Sequence, residues 1–187
     1  MSQNLVSDDT ILDEVKKAIA HTTGIDEKTI EPDSSLVDDL GVLSLDFLDV
    51  NFRLEQVFGI KMARNFVLEH AEEMFGEGVA INEESEVTET GVEVLKLRLN
   101  EAAADLEPGI PVDELPALVT PNTLASAVRD VLNCLPEKSP AGADWKAEDG
   151  TRIVCAETNE PASLPSGDEV VQSWLSRVQE ERGLFSS

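Results

Sequence analysis

The chain has 187 residues, 41% of them hydrophobic, with 38 acidic residues against 14 basic ones and a formal net charge of -24. That length is enough for one core plus an appendage, and so acidic a surface repels nucleic acid and anionic membranes while attracting enzymes with basic patches. No nucleic-acid partner is expected, and the two cysteines, Cys134 and Cys155, do not make a secreted disulfide framework.

The first ten residues are polar and acidic, with neither the basic start nor the apolar run of a signal peptide, and no later stretch is long enough to span a bilayer. A cytoplasmic protein is expected. A helix is predicted over residues 9–21, with Ile11, Leu12, Val15, Ala18 and Ile19 on one face, Asp8 and Asp9 at its positive end, and Gly24 as its stop. Residues 24–33 read as a loop, with Ile25, Ile30 and Leu36 as plugs into the core.

The stretch 36–60 organises the rest. A polar turn with Asp38, Asp39 and Gly41 leads into Ser44, after which Leu45, Leu48 and Phe52 recur at helical spacing beside a stripe of Phe47, Val50, Leu54, Val57 and Phe58. This predicts a broadly buried helix closed by Gly59. Ser44 falls at the helix start, where an anion esterified to its hydroxyl would meet unpaired backbone N–H groups and the positive end of the dipole. Asp46, Asp49 and Glu55 give the exposed face an acidic edge.

The run Asp38-Asp39-Leu40-Gly41-Val42-Leu43-Ser44-Leu45-Asp46-Phe47-Leu48-Asp49, followed by Phe58-Gly59-Ile60-Lys61, closely resembles the attachment motif of acyl carrier proteins. The Ser-Leu-Asp-Phe-Leu-Asp run and the Phe-Gly-Ile-Lys ending look most like the specialised carriers of very long hydroxylated fatty acids for lipid A. The resemblance implies that Ser44 carries a 4'-phosphopantetheine arm delivered from coenzyme A by a phosphopantetheinyl transferase. It also implies partner enzymes of fatty-acid synthesis and an acyltransferase with basic docking patches, meeting Leu43, Leu45, Asp46, Asp49 and Glu55. One position departs from the family: Leu43 stands where its members have the aspartate that helps the transferase and partners recognise the carrier.

After Ile60 the chain is longer than an ordinary carrier. The last bundle helix is matched only from Thr120-Pro121, a capping residue and a favourable first residue, with Leu124, Val128, Val131, Leu132 and Leu135 as its buried stripe. Residues 61–119 therefore read as an insertion. A helix carrying Met62, Phe66, Val67, Met74 and Phe75 is expected to end at Gly76-Glu77-Gly78, and residues 82–91, acidic and polar, are expected to form a mobile loop. Val92, Leu95, Leu99, Ala102 and Leu106 fit a second helix ending at Pro108-Gly109, with a strand through Val92, Val94, Leu97 and Leu99 as the poorer fit. The insertion either enlarges an acyl-binding interior or simply packs its own apolar faces, and the second is the simpler expectation.

From Pro136 the composition shifts to proline, alanine, glycine and charge. Residues 145–155 read as a hairpin turning at Asp149-Gly150. Cys134 and Cys155 resemble the first cysteines of the two knuckles of a zinc ribbon, but Glu137 and Thr158 stand where the second cysteines belong, and His21 and His70 are remote in sequence. A ribbon without metal, or an irregular tail, is the expectation. Ser166-Gly167-Asp168-Glu169 then has capping-box spacing, with Val170, Val171, Trp174, Leu175 and Val178 at helical intervals up to Gly183. Trp174 either anchors in a partner's groove or folds back on this chain, which is the default.

No catalytic constellation is legible: there is no phosphate-cradling glycine loop and no Gly-x-Ser-x-Gly elbow, and His21 and His70 read as surface or capping residues. The expectation is an all-α, acyl-carrier-like bundle over 1–135 with a helical insertion at 61–119, and a hairpin-and-helix appendage over 136–187. Its function would be non-enzymatic carriage of a fatty acyl chain on Ser44. The alternatives are a carrier-like interaction module that is never loaded, or a carrier of polyketide or amino-acyl groups.

Overall fold

The structure, a computed structural model, describes residues 4–185, so the first three residues of the polar start lie outside it. Helix α1 (Asp8–Thr23) begins at Ser7, whose hydroxyl accepts from the N–H of Thr10, and ends at Gly24 with the left-handed φ of 75°. The loop that follows is tied down by its backbone. Ile30 and Leu36 are buried, the Leu36 N–H donates to Val119 O, and the Ser35 hydroxyl donates to Ala117 O.

Helix α2 (Ser44–Phe58) ends at Gly59, and it corrects one expectation. Only the stripe Val50, Leu54 and Phe58 is fully buried, whereas Leu45, Leu48 and Phe52 face outward. The reason lies in what covers the helix: α1 packs on one side of α2, and the insertion packs elsewhere. Periodicity identifies an apolar stripe but not whether another element lies on it.

The insertion is helical, but its first helix starts later and its second stops earlier than periodicity suggests. Residues 61–66 form an extended junction, and α3 (Val67–Phe75) starts only after Phe66, whose N–H donates to the Glu69 carboxylate. The stretch 82–91 is not the mobile loop expected: side chains tie it and the turn before it, and residues 89–91 already belong to the next helix. Glu72 accepts the N–H groups of Gly78, Ala80 and Ile81, while Asn82 Oδ1 accepts those of Glu84 and Glu86. Thr88 caps α4 (Glu89–Leu99), which is a helix and not the strand alternative, and it stops at Leu99 because Asn100 takes φ 50°. Short 3-10 turns over Asn100–Ala103 and Val112–Leu118 lead to Thr120, which caps α5 (Pro121–Leu132) as expected.

The hairpin joins β1 (Trp145–Glu148) to β2 (Arg152–Cys155) in antiparallel register, with Trp145 opposite Cys155. Asp149 and Gly150 both have positive φ, the geometry of the predicted two-residue turn. Helix α6 (Gly167–Arg182) carries the full capping box between Ser166 and Glu169.

Two apolar cores result. In the first, α1 lies against α2 and α5, with Val15, Leu36, Leu54, Phe58 and Val131 inside, and the hairpin closes it with Trp145, Ile153 and Cys155. The second is formed by the insertion and α6: Leu68, Val94, Leu95 and Leu115 meet Val171, Leu175 and Phe185, and the rings of Phe75 and Phe185 stack at 4.1 Å. The insertion's apolar faces thus cover one another and α6. Among the described residues no helix is long and apolar enough to cross a membrane.

Candidate functional site

Ser44 is the first residue of α2 and is exposed. The preceding Leu43 has extended geometry, φ -93° and ψ 167°, so the chain turns sharply into the helix and the serine side chain is left at its rim. Four N–H groups at a helix start have no intrahelical acceptor. Here the Leu43 N–H, just ahead of that turn, donates to Asp46 Oδ2 at 2.8 Å, while those of Ser44 and Leu45 have no intramolecular partner among the described residues. A phosphate ester on the Ser44 hydroxyl would sit beside these donors at the positive end of a helix of 15 residues.

Around the serine lies apolar surface. Leu43 is 70% exposed, Leu45 79%, Leu48 56% and Phe52 55%, which together make a stripe beginning at Ser44 and running down the outer face of α2. Sequence reasoning named Leu43 and Leu45 but missed Leu48 and Phe52. Leu48 three residues after Leu45 and Phe52 four after Leu48 gave the available signal, and it was assigned to the core. The rest of the chain leaves this stripe uncovered.

The three acidic candidates differ in availability. Asp46 sits in the first turn beside Ser44 and is tied to the Leu43 N–H. Asp49 accepts from the Thr22 hydroxyl at 2.6 Å and from Arg53 at 2.9 Å, and these donors hold its carboxyl below the ordinary value. Glu55 faces inward. Its side chain is only 11% exposed, accepts from the Met62 N–H, and pairs with Arg64 at 2.8 Å. It positions the junction that leaves α2.

The remaining candidates are not brought to Ser44. Cys134 is exposed near the end of α5, with its sulfur against Asp130 O, whereas Cys155 is buried beside Ser139 Oγ at 3.3 Å. The Ser139 hydroxyl, and then the hydroxyl and N–H of Thr158, hold the Cys155 thiol down to about 7. The side chain against the Cys155 sulfur is therefore that of Ser139 and not that of Cys134, whose own sulfur lies against Asp130 O. Among the described residues no group of three or more His, Cys, Asp or Glu side chains could hold a metal ion.

His70 also departs from expectation. It is 2% exposed, with Nε2 at 2.8 Å from Asp168 Oδ1 and Nδ1 near Gln172, because α6 lies over α3. Burial opposes the charge of Asp168, but the Arg64 N–H, the His70 ring and the Asn65 N–H outweigh it and hold the carboxyl below its ordinary value.

Comparison with known proteins bears on this geometry. The family model described as "Phosphopantetheine attachment site" matches residues 13–72, a span that contains Ser44. The chain is 53% identical over 53 residues to acyl carrier protein AcpXL of Mesorhizobium japonicum, covering 28% of this chain and 57% of that protein. It is 38% identical over 72 residues to an acyl carrier protein of Clostridium acetobutylicum, covering 38% of this chain and 88% of the relative. With an acyl carrier protein of Thermotoga maritima it shares 36% identity over 58 residues, 31% of this chain and 72% of the relative. The chain spans about half the length of the AcpXL relatives it matches. No solved structure matches it.

Proposed function

This chain belongs to the acyl carrier protein family, and from that premise we propose that Ser44 is its phosphopantetheine attachment site and that it tethers a fatty acyl chain as a thioester. The observation that carries the reading is the exposed Ser44 hydroxyl on the first residue of α2, with the free N–H groups of Ser44 and Leu45 beside it. On loading, the hydroxyl loses its proton to a base of the transferase, a new O–P bond joins Ser44 to the arm, and 3',5'-ADP leaves from coenzyme A. The arm supplies a flexible thiol for acyl transfer. This chain's own part is to hold the serine at the helix rim and to offer its phosphate two backbone donors.

The very long, hydroxylated chains held by specialised lipid A carriers are the cargo class to which the 38–61 motif points. Partners in this reading are a phosphopantetheinyl transferase, fatty-acid synthesis enzymes and an acyltransferase. They dock on Leu43, Leu45, Leu48 and Phe52, with Asp46 and the partly exposed Asp49 meeting basic patches. Residues 1–135 make the carrier domain with 61–119 as its insertion, and 136–187 form its appendage. Catalysis belongs to the visiting enzymes, and the site of action is cytoplasmic.

The test is the intact mass after incubation with coenzyme A and a broad-specificity transferase, beside Ser44→Ala. A gain of one phosphopantetheine in the parent and none in Ser44→Ala is expected. The exposed Leu43, in the family's aspartate position, favours one second reading: a carrier fold that binds partners without being loaded. That reading takes over if the parent mass stays fixed and only Leu43→Asp gains the arm.

A further inference from the structure

Two turns flank the hairpin and enclose a small cleft. Residues 139–143 close on themselves, with the Ser139 N–H donating to Ala143 O at 2.9 Å, and residues 155–160 do the same, with the Cys155 N–H donating to Glu160 O at 2.8 Å. Between them lies a cavity of about 60 Å³, room for a few water-sized molecules. Its rim, with Pro140, Thr158 and Glu160, is exposed, so the cleft opens to solvent. Its floor is Ser139 and Trp145, each 5% exposed, and Cys155, 1% exposed.

The floor is polar, and the fold leaves one of its hydrogens to the sulfur. Ser139 Oγ accepts from the Ala143 N–H at 3.1 Å, and among the described residues the hydroxyl's own hydrogen finds no acceptor but the Cys155 sulfur, 3.3 Å away. The Thr158 hydroxyl and the N–H groups of Thr158 and Glu157 converge on the same atom. Hydrogen bonds to an ionised acceptor are about twice as strong as neutral ones, so this set of donors favours the thiolate. Cys134 is the contrast: exposed, but with its thiol pushed up by partial burial and then by the Asp130 carboxylate.

Size and charge limit what can reach that sulfur. The cavity is too small for a peptide thiol or a nucleotide cofactor. Glu160 stands at its rim on a chain of net charge -24, so anions are repelled. A small neutral electrophile remains, and hydrogen peroxide, two oxygens long and uncharged, meets both conditions.

We propose that this cleft is a modification site at which hydrogen peroxide oxidises Cys155 reversibly to the sulfenic acid. The thiolate attacks one peroxide oxygen, and an S–O bond forms as the O–O bond breaks. The sulfur gives up an electron pair, and the departing hydroxide takes a proton from solvent and leaves as water. Ser139 and Thr158 act as positioning residues that hold the thiolate at the floor of the cleft. The site stands apart from Ser44 and does not depend on its loading.

The experiment uses two single-thiol forms of the full chain, Cys134→Ser, which keeps Cys155, and Cys155→Ser, which keeps Cys134. Each is treated, folded, with dilute hydrogen peroxide and followed by intact mass. The signal is the gain of oxygen that dithiothreitol removes, since methionine sulfoxide survives that reductant. Cys155 should oxidise on the order of tenfold faster than Cys134, in keeping with its larger thiolate fraction. A bulky anionic aromatic disulfide should reverse the order, because only Cys134 is open to it. In the Cys134→Ser background, Thr158→Val at its exposed position and, independently, Ser139→Ala should each slow the oxidation several-fold. Cys155 oxidising no faster than Cys134, or only once urea unfolds the chain, overturns the proposal. So does a rate that both substitutions leave unchanged.

Discussion

Leu43 is where residue chemistry and function meet most directly. It occupies the cap position of α2, where its carbonyl accepts from the N–H groups of Asp46 and Phe47 but its side chain offers no acceptor, a position that normally draws a Ser, Thr, Asp or Asn. Leu43→Asp should therefore stabilise the fold by about 1 kcal/mol through capping, read as a higher urea midpoint with unchanged slope, and an unchanged midpoint would show that solvent already satisfies the first-turn N–H groups as well as a cap would. At α6 the cap is Ser166, and the acidic residue of consequence is Asp168 in the first turn. Its carboxyl is held below its ordinary value, so the stability it contributes is present above the ordinary carboxylate pKa. That contribution is lost as pH falls through the lower folded value. In urea titrations taken below about pH 4, Asp168→Asn should flatten this acid-side loss. A variant whose acid profile matched the parent would deny Asp168 that role.

At the scale of elements, junction 61–66 decides how the molecule is joined. Glu55 from α2 and Asp168 from α6 hold its backbone from two sides, through the N–H groups of Met62, Arg64 and Asn65. Gly167 is required there for space. A Cβ on it would lie 2.2 Å from Ala63 N, a backbone atom that cannot swing aside. Gly167→Ala should cost about 1–3 kcal/mol by forcing α6 off the junction, measured by thermal or urea unfolding, and a neutral result would mean that α6 already moves freely. Most element starts were legible in sequence because caps are local. Thr120-Pro121 before α5 and Ser166 to Glu169 before α6 each satisfy orphan N–H groups within four residues. Stops were less legible. Asn100 ends α4 through a positive φ that nothing in its neighbours announces, and Phe66 stays outside α3 through a tertiary arrangement of the junction.

For the whole molecule, the second core depends on a helix from the far end of the chain. Truncation before Ser166 removes Val171, Leu175 and Phe185 from the insertion's interior, so amide exchange should accelerate in α3 and α4 far more than in α1 and α5. Uniform acceleration would instead show that the two cores unfold as one. The attachment motif, the placement of Ser44 at a helix start, the hairpin turn at Asp149-Gly150 and the capped helices were all determined by the sequence itself. Each depends on residues within a few positions of one another, where backbone geometry and hydrogen bonding act. Only the tertiary structure decided that Leu45, Leu48 and Phe52 face outward, that Glu55 faces inward, that His70 is buried under α6 and that Ser139 is the neighbour of Cys155. Those outcomes depend on which distant element covers a given face, and a stripe of apolar residues reads the same whether it is covered or bare.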